Sequence, residues 1–109
     1  MAKIYLSVAK EFTDTPGPRS REEGEHSGQE FLDTLLKPKF QQAMSQGTKL
    51  LVDLDQTEGY ATSFLEAAFG GLAREFGAET VLQHIEFKSD DEPYLIEEIK
   101  RYISEAAAK

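Results

Sequence analysis

The chain has 109 residues, with 12 Lys and Arg against 20 Asp and Glu for a net charge of −8, and no cysteine. That length suits one domain with its own hydrophobic core. The acidic balance argues against nonspecific nucleic-acid binding, and the missing cysteines exclude disulfides, thiolate metal sites and cysteine nucleophiles. Two histidines, His26 and His84, do not make a His-rich metal site. No apolar run approaches the ~18 residues of a membrane span, and the first residues lack a signal-peptide pattern. The expected location is the cytoplasm, with no membrane and no nucleic acid as partner.

Residues 3–9 predict a strand, because Ile4, Leu6 and Val8 alternate with Tyr5 and Ser7. Residues 13–28 predict a long charged loop, with room for a short edge strand. They hold Pro16, Gly17, Pro18, Gly24 and Gly28 among Arg19, Arg21, Glu22, Glu23 and Glu25. Residues 28–46 predict a helix with apolar positions Phe31, Leu32, Leu35, Leu36, Phe40, Ala43 and Met44. Ser27 is its expected cap and Glu30 completes a capping box. Pro38 predicts a kink or restart, and Gly47 a stop.

Residues 49–55 carry the run Leu50, Leu51, Val52 and Leu54, the pattern of a strand buried on both faces. Residues 63–76 predict a helix ended by Gly77, residues 80–87 a strand, and residues 93–108 a final helix that frays at 106–109. Strands alternating with helices predict an α/β domain with a small, mostly parallel sheet.

The segment with most chemistry is Val52–Glu66, which runs from a strand end into a helix start. In open α/β sheets ligands collect at the carboxyl ends of strands. Asp53-Leu54-Asp55-Gln56-Thr57 resembles the first motif of haloacid-dehalogenase-type phosphatases. There the first Asp is a nucleophile, the second an acid/base, and magnesium binds nearby. Lys88 and Asp90-Asp91 come too early for that family's later motifs, and the chain after Thr57 is short for it. Ser63-Phe64-Leu65-Glu66 reads as a second capping box, with the serine oxygen accepting from the Glu66 N–H. The alternative role for Thr62 and Ser63 is phosphorylation, which a helix N-terminus tolerates. Gly70 and Gly71 inside this helix imply close backbone approach. Its apolar residues leave room for cover by another chain, including a second copy in a homodimer. Arg19 and Arg21 in the loop have the chemistry to hold a phosphate or a carboxylate.

Ser27-Gly28-Gln29-Glu30-Phe31, Leu36-Lys37-Pro38, Leu51-Val52-Asp53-Leu54-Asp55 and Ser63-Phe64-Leu65-Glu66-Ala67-Ala68-Phe69-Gly70-Gly71-Leu72 together resemble the STAS-like family (DUF4325). The Phe12 to Arg19 loop fits it too, and the likeness covers residues 4–77 best. It implies a single STAS-like domain over residues 1–109, with helices mainly on one face of the sheet. That family is related to the STAS domains of anti-sigma factor antagonists. In those a partner serine kinase of the histidine-kinase-like ATPase type phosphorylates a serine at a helix start, and phosphate breaks the complex.

Thr62 and Ser63 lie where those hydroxyls stand; Ala61 replaces the aspartate of that motif, Phe64 its glycine, and Ala67 an acidic residue. The resemblance implies a non-enzymatic regulatory module without cofactor, bound to a kinase-like ATPase or another regulator. The implied partner surface comprises Arg19, Asp55, Glu58, Tyr60, Thr62, Ser63, Phe64 and Glu66. The other reading is a magnesium-dependent phosphatase using Asp53 and Asp55.

Overall fold

In the computed structural model, which describes residues 3–107, three strands make one parallel sheet in the order β1-β2-β3. β1 is Ile4–Ser7, β2 is Leu50–Asp53 and β3 is Ile85–Lys88. Ile4 aligns with Leu50 and Leu50 with Ile85, and the row Ser7, Asp53, Lys88 closes the carboxyl end. The α/β fold class read from the sequence, with a small parallel sheet, holds.

The helices cover one face of the sheet, and the short turn after β1 also contributes a core residue, Val8. α1 is that turn, Val8–Glu11, started by Ser7, whose hydroxyl accepts from the Lys10 N–H. It shortens the strand expected over residues 3–9. α2 covers residues 28–45 as Gly28–Phe31, a π-helical stretch Leu32–Leu36, and Lys37–Ser45. The restart expected at Pro38 takes this π form. A proline in a regular helix lacks one donor and presses on the carbonyl four residues back, and the widened turn just before Pro38 absorbs the mismatch. α3 covers residues 62–76, again with a π stretch, Glu66–Gly70, between Thr62–Leu65 and Gly71–Phe76. α4 is Ala78–His84 and α5 is Tyr94–Ala107.

The strand expected over residues 80–87 is therefore half helix. Gly77, at φ 90°, breaks α3 and lets the chain restart at once. Val81 and Ile85, four residues apart, are both buried, while Leu82 is 36% exposed. That spacing is helical, and it also places His84 at a helix end rather than on a strand. The fraying expected over 106–109 is not seen at its start: α5 runs through Ala107, with Ala106 buried in the core. Residues 108 and 109 lie outside the described residues.

β2 is buried on one face only. Leu50 and Val52 are inaccessible, whereas Leu51 and Asp53 turn to the open face beside Tyr5, Glu86 and Lys88. Helices on both sides would have demanded the continuous apolar run; here Leu51 alone supplies it. The core joins Leu6, Leu50, Val52 and Ile85 of the sheet to Phe31, Leu36 and Phe40 of α2, Phe64, Phe69 and Leu72 of α3, and Ile99 and Ile103 of α5. α3 lies between α2 and α5, so its apolar surface is covered within the chain.

The glycines permit this packing. A Cβ on Gly71 would meet Leu32 Cδ2 at 2.6 Å, and one on Gly28 would meet the Phe64 carbonyl oxygen at 2.5 Å.

The long loop is ordered by hydrogen bonds and, among the described residues, contains no strand. The Gly17 N–H donates to the His26 carbonyl (2.9 Å), Gly28 to Pro18 (2.8 Å) and Gln29 to Arg19 (3.0 Å). The last two donors belong to the first turn of α2, which Ser27 also caps by accepting from the Glu30 N–H at 3.0 Å. The loop's proline-rich limb thus satisfies the helix start that would otherwise be bare.

Candidate functional site

The carboxyl end of the sheet gathers the acidic residues. Asp53 ends β2; its Oδ1 accepts the Asp55 N–H at 3.0 Å, and its Oδ2 accepts the Tyr5 hydroxyl. Asp55 is 6% exposed. Its Oδ2 accepts from Lys88 Nζ at 2.6 Å and its Oδ1 from the Asp91 N–H at 2.9 Å. Lys88 also reaches Asp90 at 2.9 Å. The Gln56 N–H donates to Asp91 Oδ2 at 3.0 Å, with Gln56 itself at φ 70°.

This clamp joins the loop after β2 to the loop after β3. Burial pushes the Asp55 carboxyl up, but the Asp91 N–H, the Lys88 ammonium and the Asp90 N–H outweigh it and hold the pKa below the ordinary carboxylate value. Lys88 is in turn held above the usual lysine range by Asp55 and Asp90. All four oxygens of Asp53 and Asp55 thus have donors inside the chain. Among the described residues, no three His, Cys, Asp or Glu side chains gather where they could hold a metal ion.

The loop from Gln56 to Ala61 is anchored at its far end by Tyr60. Its hydroxyl donates to the Leu54 carbonyl at 2.9 Å and its ring lies 5.8 Å from that of Phe64. Burial raises its phenol pKa strongly. Glu58 is exposed, and its N–H donates to the Asp14 carbonyl at 2.8 Å, which joins this loop to the long one.

The start of α3 differs from the capping box expected at Ser63. Ala61 is the N-cap residue, extended at φ −72° and ψ 144°, and no side chain caps the helix. The Ala61 carbonyl accepts from the N–H groups of Phe64 (3.1 Å) and Leu65 (3.3 Å). Ser63 lies two residues past the N-cap, too far into the helix to cap it. Glu66 does not reach back either; its carboxylate binds Arg19 and, at 2.7 Å, Arg74. Arg74 is the main cause of its lowered pKa, with Arg19 assisting against partial burial.

Among the described residues, no acceptor meets the N–H of Thr62 or Ser63, and neither hydroxyl has a hydrogen-bond partner. Thr62 is exposed and Ser63 half-buried. This bare start contrasts with the fully capped start of α2.

The residues read as a partner surface therefore divide. Glu58, Thr62 and Ser63 face outward together, and Arg19 and the half-buried Glu66 form an ion pair one turn further along. Phe64 is inaccessible, packed on Phe31 at 5.8 Å and Phe12 at 6.4 Å, and belongs to the core. Asp55 and Tyr60 hold the loop in place through their hydrogen bonds. Arg21 pairs with Asp33 at 3.1 Å, so both loop arginines are engaged by carboxylates of this chain.

The sequence reading missed the clamping roles of Lys88, Asp91, Tyr5 and Arg74. Only strand register brings the first three to Asp53 and Asp55. Their one legible signal was Lys88 closing an apolar strand, as Asp53 does.

The family described as a STAS-like domain of unknown function (DUF4325) matches residues 27–95, and the chain belongs to it. No curated protein and no solved structure matches the chain. Among the described residues no helix is long and apolar enough to cross a membrane.

Proposed function

We propose that this STAS-like domain is a non-enzymatic regulatory module. It binds a protein partner through the 56–61 loop and the first turn of α3, and phosphate on Thr62 or Ser63 switches the contact. The observation that carries the reading is the bare start of α3. Two N–H groups and two hydroxyls without partners stand together on a loop fixed at Asp55 and Tyr60. A phosphate there gains from the helix dipole and the free donors, and its charge of about −2 changes what the surface attracts. The resemblance to anti-sigma factor antagonists, in which a kinase-like ATPase phosphorylates a serine at a helix start, supports that class of partner. The engagement of every Asp53 and Asp55 oxygen supports the non-enzymatic side.

The test is affinity capture from the native host lysate with wild-type and Ser63→Glu bait, followed by mass spectrometry of both. The expected result is a co-eluting ATPase or regulator, phosphate on Thr62 or Ser63, and loss of the partner with the folded Ser63→Glu bait. Equal recovery of the partner by both baits, or a bait never modified at either position, would overturn it.

A further inference from the structure

No further inference is drawn: the strongest candidate, the groove between β3, α4 and α5 lined by Leu82, Ile85, Phe87 and Ile96, is an unpartnered apolar face, and nothing in the structure shows what covers it.

Discussion

Asp55→Asn tests whether the clamp between the β2 and β3 loops is structural. The asparagine keeps a carbonyl oxygen for the Asp91 N–H, bonded at 2.9 Å in the native chain, but turns an NH2 donor towards Lys88 Nζ, which sits 2.6 Å from the native carboxylate. A charge-assisted hydrogen bond contributes about 1.5–3 kcal/mol. The Lys88 side chain is 45% exposed and retains Asp90, so solvent screening lowers the expected loss to about 1–2 kcal/mol. At ~2.1 cal/mol/K of unfolding entropy per residue, that is a fall of roughly 4–8 °C in Tm at pH 7.

The pH dependence has a definite sign. The native pKa of Asp55 is below its unfolded value, so its contribution is complete above the ordinary carboxylate pKa of about 3.9 and is lost as pH falls through the native value. Thermal melts followed by circular dichroism should therefore show a gap between wild type and variant at pH 7 that closes in acid below that native value. A gap under about 1 °C at pH 7, or one that persists in acid, would refute the reasoning.

The two serines read as caps should separate in urea denaturation. Ser27→Ala removes a buried oxygen that accepts the Glu30 N–H at 3.0 Å and should cost about 1 kcal/mol; Ser63→Ala, which removes no hydrogen bond within the chain, should stay within about 0.5 kcal/mol. Equal losses would return Ser63 to the capping role. Gly28→Ala should cost about 1–3 kcal/mol, because its Cβ would lie 2.5 Å from the Phe64 carbonyl oxygen and a helix backbone does not yield as a side chain does. An unchanged denaturation midpoint would mean that α2 and α3 separate freely.

The elements that local chemistry specifies were legible. The stop at Gly77, the cap at Ser27 and the disturbance at Pro38 each follow from one residue's backbone or side-chain properties, and the structure has all three. The errors arose where tertiary context decides. Leu50 to Leu54 reads as doubly buried, yet β2 has an open face, because nothing in the segment says whether a second helical layer exists. Residues 80–84 contain Val81 and Leu82, which suit a strand, but helical spacing to Ile85 and the support of α5 determine their state. Ser63 matched a capping pattern, but the helix starts two residues earlier, with Ala61 as its N-cap, and Arg19 and Arg74 take the Glu66 carboxylate. Partners 47 and 8 residues away leave no mark in a four-residue motif.

The same long-range ties bear on how a switch at Thr62 or Ser63 would act. Lys88 and Asp91 hold Asp55 in place; Tyr60 hydrogen bonds to Leu54 and packs on Phe64. Only the exposed middle of the loop is free to adapt, and Glu58 there is joined to Asp14 through its backbone. A partner at this surface would meet a shape set before binding, which would lower the entropy lost on association. A phosphate on Thr62 or Ser63 would then have little loop to reorganise, and its effect on binding would come from the charge added beside Glu58 and from the N–H groups it would occupy. Glu66 with Arg19 and Arg74 stands one turn on, its carboxylate already satisfied, so neither arginine is free to neutralise the added charge. The switch would therefore work by changing the charge of this surface rather than by moving α3.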